Sequence, residues 1–245
     1  MGLRYHVQAR VQKLSERSGL LLHLSRRVGR AMLRPIFDQK SRRDGRLNAE
    51  LREALRWWIL VLKRKLCERH DWANPQQTPV HLLCDASGSP AHLGAVLLHE
   101  SGCFYTDLVP SAELLQAFRS RRDNQIMGLE LMAVSLGLST FEKMLRNRNV
   151  IVHCDSTGAE SAIRRGTAVS HDHAQLVHGQ WTHAAECGMS LWIQRVATDD
   201  NIADLPSRNE FSVLQQAGAD YVQPVLRSRY WESSTWDILG QRWQV

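Results

Sequence analysis

Four acidic residues carry the strongest chemical demand in this chain. Asp85 ends the apolar run at residues 79–84, Glu130 lies inside the run 128–134, Asp155 closes 150–154, and Asp204 sits in 201–205. A carboxylate set among Leu, Val, Ile and Cys gives up hydration that must be replaced, and a divalent cation would replace it for several acids at once. The chemistry would then be that of a metal site. Taken singly, each acid has a bland alternative: Asp85 and Asp155 as strand-end caps, Glu130 as a surface residue.

The composition fits a folded chain with a polyanionic partner. At 245 residues with 43% apolar content, the chain has enough material for one large domain, or one domain and an appendage. Charge is unevenly distributed: residues 1–70 carry 18 Lys/Arg against 6 Asp/Glu, a balance of +12, and residues 71–245 a balance of −6. A basic part would grip phosphates while an acidic part gathers cations. The other reading is that these bases are the solvated faces of helices. Cys67, Cys84, Cys103, Cys154 and Cys187 form no CxxC pair, so neither a zinc site nor a disulfide framework is indicated and a reducing, intracellular setting, cytoplasmic or nuclear, is expected. Apolar runs such as 57–62 are far below the ~20 residues that span a bilayer, and no secretory signal is read at the start, so no membrane role is expected.

Positioning these acids requires particular elements. Leu47, Leu51, Leu55, Trp58, Ile59 and Leu62 recur at helical spacing, as do Leu14, Leu20, Leu21, Leu24, Val28, Met32 and Leu33 less regularly, so residues 1–73 read as a basic helical module with a turn at 39–46. Two prolines and no apolar residue mark 74–79 as a linker. The period then changes. Strands are expected at 80–84, 93–98 and 103–108 as an antiparallel meander, then a polar stretch and a helix over 124–145 with its apolar residues on one face. A fourth strand at 150–154, helices at 158–165 and 171–186, a fifth strand at 190–196 and a last helical turn at 200–208 complete the order βββαβαβα. Residues 80–210 form this α/β domain, and 211–245 are left as a C-terminal tail.

Chain lengths allow the acids to meet. From Glu130 a helix to Leu145 runs roughly 22 Å at 1.5 Å per residue, and the strand to Asp155 returns roughly 17–20 Å at 3.3 Å per residue. Out and back nearly cancel. Asp85, at the same kind of end of a first strand paired with the fourth, can join them.

The residues around the acids carry a resemblance. Cys84-Asp-Ala-Ser-Gly88, Leu129-Glu-Leu-Met-Ala-Val134, Cys154-Asp-Ser-Thr-Gly158 and Asp200-Asn-Ile-Ala-Asp-Leu-Pro-Ser-Arg208 are similar to the ribonuclease H domains of retroelement reverse transcriptases, in particular the tyrosine-recombinase-type group. Four motifs in order over about 78–210 make the match specific. Residues 28–37 with 55–58 resemble, more loosely, the helical region joining polymerase to ribonuclease H. No Tyr-x-Asp-Asp polymerase motif occurs, so the chain looks like a retroelement fragment or a derived stand-alone protein.

The resemblance implies a ribonuclease H-like α/β fold with a five-stranded mixed sheet, and two-metal hydrolysis of the RNA strand of RNA–DNA hybrids. Magnesium, with manganese as substitute, suits hard oxygen ligands, and two ions about 4 Å apart can activate water and stabilise the leaving oxygen. In that scheme Asp85 bridges both metals, Glu130 and Asp155 are further ligands, and Asp204 holds the nucleophile-side ion. Four facing carboxylates would raise one another's pKa values. The polymerase part of a reverse transcriptase is an implied partner.

Two departures stand out. The family often carries a His in the loop before the last acid, and residues 195–200 offer Arg195 or Thr198 there instead. His171, His173, His178 and His183 fall on an earlier helix, as surface or core residues. Pro206 is expected to keep Leu205 out of the α region and so to leave Asp204 just ahead of the last helix.

Other candidates are less specific. Ser87, Ser156 and Thr157 flank the acids and could meet phosphate or the RNA 2′-OH, or cap turns. Arg164, Arg165, Arg121 and Arg122, with Arg26, Arg27, Arg30, Arg42 and Arg43 of the basic module, could track nucleic-acid phosphates or simply be solvated. Trp57, Trp58 and Trp72 read as core or interface residues; Trp231, Trp236 and Trp243 as packing or partner contacts. Exonuclease relatives would need an acid at position 87, which is Ser, and integrase relatives a late helical Glu, so both are disfavoured. The alternative function is a catalytically silent ribonuclease H-fold protein that binds nucleic acid or scaffolds a complex.

Overall fold

The computed structural model describes residues 27–41, 48–64, 78–116 and 125–227. Arg26, Arg42, Arg43, Arg121, Arg122, Trp72, most of the 74–79 linker and the three tail tryptophans lie outside them, as does the periodic stretch up to Leu24.

Three segments of alternating and β-rich sequence form the meander: β1 (Val80–Gly88), β2 (Ala91–His99) and β3 (Gly102–Leu108). The pairing of β1 with β2 and of β2 with β3 is antiparallel. β4 (Asn149–Cys154) and β5 (Ser190–Arg195) add in parallel on the other side of β1. The result is a mixed sheet in the order β5-β4-β1-β2-β3, extended at its edge by a sixth strand, β6 (Asp220–Tyr221), parallel to β3. Two residues are too few to announce a strand; β6 exists because α9 (Ser212–Gln216) turns the chain back to the sheet.

Ahead of the sheet, a 3-10 turn at Ala31–Leu33 leads into α1 (Arg34–Ser41), so helix takes in the first three residues of the expected basic turn. Next comes α2 (Ala49–Arg64). The polar stretch after β3 holds a short helix, α3 (Ala112–Gln116). The helix expected over 124–145 divides at Phe141 into α4 (Ile126–Thr140) and α5 (Glu142–Leu145). Nor does α4 bury only one face. Every residue from Gly128 to Ser139 is buried, because sheet, α6 (Thr157–Arg165) and α7 (His171–Glu186) enclose it. Gln180 of α7 meets the polar cost of that enclosure by donating to Leu131 O at 2.7 Å and to Ser135 Oγ at 3.1 Å.

The N-terminal helices share the main core. Trp57 and Trp58 are each 3% exposed; the Trp57 ring meets Trp58 and His178 edge-on at 4.9 Å. Trp58 Nε1 donates to Met32 O, and Arg34 donates to the carbonyls of Ala168 and Val169. A Cβ on Gly166 would lie 2.7 Å from Arg27 O, so the glycine admits that close backbone approach. Among the described residues no helix is long and apolar enough to cross a membrane.

Candidate metal site

Strand register sets two of the acids side by side. The parallel pairing of β1 with β4 runs to Leu83 opposite His153, and Asp85 and Asp155 each follow two residues later. α4 crosses the sheet and brings Glu130, in its second turn, to the same end. One carboxylate oxygen from each of Asp85, Glu130 and Asp155 lies within 4.8 Å of the others. Asp85 and Glu130 are buried and Asp155 is half-buried.

Electrostatics show what this group lacks. Burial, then the neighbouring Asp85 and Asp155 charges, push Glu130 up to about 9, against a hydrogen bond with the Ala86 backbone. Its Oε2 is buried with no hydrogen-bond partner. Asp85 is also raised, first by burial and then by Asp155 and Asp204, while a hydrogen bond from Ser207 works the other way. An orphaned carboxylate oxygen beside two further acids fits a cation. The grouped side chains offer oxygen donors only; the adjacent Cys154 and Cys84 thiols, pushed by burial up to about 12 and well above the ordinary thiol range respectively, are not among them. Oxygen-only donors suit a hard ion such as Mg²⁺ or Mn²⁺.

A second cluster, Glu142, His183 and Cys187, has similar spacing but different electrostatics. The Glu142 carboxylate already takes His183 Nε2 at 2.9 Å, Arg146 at 2.7 Å and Arg227 at 2.5 Å. Burial alone would raise it; the His183 hydrogen bond and the Arg227 charge outweigh that and hold it low. Two guanidiniums supply the countercharge a metal would otherwise supply. This knot ties the C-terminal segment to α5 and α7.

Asp204 stands differently from the other three. It lines the same cleft, of about 490 Å³, but lies outside the 4.8 Å group, and its Oδ1 accepts from Arg208 Nε at 2.7 Å. It also begins α8 (Asp204–Ser207), with Leu205 and Pro206 inside the helix, contrary to the expectation that it would precede it. The reason is positional: Pro206 falls within the first helical turn, where the N–H it lacks would be unbonded anyway.

Sequence reasoning missed the residues that anchor this end of the cleft. Ser207 Oγ donates to Asp85 Oδ2 at 2.5 Å, and Asn201 Nδ2 donates to Cys84 O at 3.1 Å. Both contacts depend on Gly94, where a Cβ would stand 2.5 Å from Ser207 N and 2.7 Å from Ala203 O. No local signal announces such a contact, which joins residues 122 apart. His92, whose Nε2 lies 2.8 Å from Asp107 Oδ2, also lines the cleft.

The nucleic-acid candidates divide. Ser87 lines the cleft. Ser156 caps α6, accepting from Ala159 N at 3.3 Å, and Thr157 is exposed beside it. Arg164 and Arg165 are exposed at the far end of α6, Arg164 paired with Glu160 at 2.8 Å. Arg27 lies over the Trp181 ring at 5.1 Å, and Arg30 is exposed nearby in sequence. His173, His178 and His183 are buried.

The chain is similar in structure to the ribonuclease H1 of the halophilic archaeon Halobacterium salinarum, at 16% identity and a TM-score of 0.40, over 56% of this chain and 99% of that one. It is also similar to the N-terminal ribonuclease H domain of a Mycobacterium tuberculosis protein solved as a fusion with maltose-binding protein, at 17% identity and a TM-score of 0.39, over 58% and 100%. No protein-family model and no curated protein matches the chain.

Proposed function

We propose that this chain is a metal-dependent endonuclease that hydrolyses the RNA strand of RNA–DNA hybrids, and that it derives from a retroelement reverse transcriptase. The observation that carries this reading is the Asp85–Glu130–Asp155 group, three carboxylates within 4.8 Å with one oxygen orphaned. Bound there, two Mg²⁺ ions would supply an activated water and a countercharge for the leaving oxygen. In this reading Asp85, Glu130 and Asp155 would hold the ions, and Asp204 would complete the ligand set on the nucleophile side. Ser207 fixes the orientation of Asp85, and α8 and β2 wall the cleft. Residues 80–210 act as the nuclease domain, and the basic segment 1–73, joined through 74–79, adds affinity for the hybrid, with Arg27, Arg30, Arg164 and Arg165 as phosphate contacts. The segment 211–245 continues beyond the catalytic part.

One observation favours a second reading, a catalytically silent fold that binds nucleic acid: the fourth acid is engaged by Arg208. The two separate on substrate specificity. The purified chain, given hybrid, duplex DNA and duplex RNA each labelled on one strand, should cut only the RNA strand of the hybrid in Mg²⁺. Binding of all three with no cleavage in Mg²⁺ or Mn²⁺ would support the silent reading.

A further inference from the structure

Among the described residues, Arg208 is the one Lys or Arg lining the cleft, whose other charged members are Asp85, Glu130, Asp155 and Asp204. Its guanidinium pairs with Asp204 at 2.7 Å, and its charge reaches Asp85 as well. The pair is on the surface of the cleft, with the Arg208 side chain 58% exposed and that of Asp204 28%. Exposed i,i+4 pairs of this kind are weak and readily exchanged. A nucleic-acid backbone entering the cleft faces four carboxylates, and the one guanidinium among its described lining residues is occupied by one of them. A divalent cation drawn to Asp204 competes with Arg208 for the same oxygens.

From this we propose that Arg208 is a phosphate-binding residue held in reserve: Asp204 keeps it folded against the helix until a divalent cation takes the carboxylate, and the released guanidinium then binds a backbone phosphate of the substrate strand at the cleft lip. Metal and nucleic acid thereby bind in concert, since each relieves the Asp204–Arg208 pair on the other's behalf. Arg is suited to this exchange because its planar fork matches carboxylate and phosphate alike. The proposal rests on the hybrid-binding, metal-dependent reading of the cleft and adds to it a residue and an order of events.

The test uses the whole chain and two binding readouts. Mn²⁺ affinity is followed by electron paramagnetic resonance. Hybrid affinity is followed by fluorescence anisotropy across a salt series, in EDTA and in Ca²⁺. Arg208→Gln should bind Mn²⁺ about two- to fivefold more tightly, because the competing cation is gone. In Ca²⁺ it should bind hybrid about tenfold more weakly, with a salt slope smaller by about one, the signature of one lost phosphate contact. In EDTA the wild-type and variant affinities should lie close together. Arg208→Lys, which keeps the charge, should recover the salt slope. Weaker Mn²⁺ binding in Arg208→Gln would overturn the proposal by showing that the arginine merely positions Asp204; an unchanged hybrid slope in Ca²⁺ would overturn it too. A chain that shows both shifts yet cuts nothing would retain the reserve arginine and refute the nuclease reading, whereas a chain that cuts hybrid without either shift would do the reverse.

Discussion

Ser207 donates its hydroxyl to Asp85 across 122 residues of sequence, and that bond ties α8 to the central strand of the sheet. Asp85 is pushed upward by burial and by the neighbouring acids, and the Ser207 hydrogen bond opposes them, with a smaller contribution from the Arg208 charge. A hydrogen bond to a charged group contributes about 1.5–3 kcal/mol. Ser207→Ala should therefore lower kcat by on the order of tenfold or more, and its activity should rise with pH only at more alkaline values than wild type. A pH–rate profile on a labelled hybrid checks both.

Gly94 permits that bond by letting the backbone of α8 lie against β2. In Gly94→Ala, the new methyl would sit 2.5 Å from Ser207 N and 2.7 Å from Ala203 O, both backbone atoms that cannot swing aside. Overpacking of this kind costs about 1–3 kcal/mol. Urea denaturation should show that loss, and divalent-cation affinity should fall with it as Asp85 loses its anchor.

Glu130 makes the stability of the cation-free protein depend on pH in a defined direction. Folded, it holds its proton up to about 9; unfolded, it loses it near the ordinary carboxyl value of 4.5. Across that window the folded state binds the extra proton, so stability falls as pH rises from acid towards 9. Melting curves in EDTA should show Tm dropping through this range, less steeply in Glu130→Gln. Mn²⁺, which binds the ionised carboxylates, should raise Tm more at pH 8 than at pH 5.

Trp57 tests how closely the N-terminal helices are joined to the α/β core. It is 3% exposed and contacts His178 of α7 as well as Trp58. Trp57→Ala should cost about 3–5 kcal/mol, and hydrogen exchange should speed in α4 and α7, not only in α2. Faster exchange confined to α2 would mean the helices fold apart from the sheet.

Much of this architecture can be read from residue order. Acids stood out because they interrupt apolar runs, and the 171–186 helix and the meander follow from their periodicity and turn residues. What escaped reading depends on contacts between distant segments. Helix α4 is enclosed on all sides, so its apolar residues show no single face. β6 has only two residues and forms because β3 offers an edge. Pro206 suggested a break, but within the first helical turn it breaks nothing. Ser207 and Arg208 look like ordinary polar residues after a turn; their roles come from where Gly94 lets α8 sit.

The central claim is that the Asp85–Glu130–Asp155 group holds the ions that cut RNA. Its most direct test compares wild type with Asp155→Asn on a hybrid labelled in the RNA strand, in Mg²⁺ and in Mn²⁺, with hybrid affinity measured alongside. The account predicts RNA-strand cleavage by wild type and loss of at least a thousandfold in the variant, at closely similar hybrid affinity. Cleavage by Asp155→Asn at the wild-type rate, or none by wild type in either ion with the hybrid bound, would contradict it.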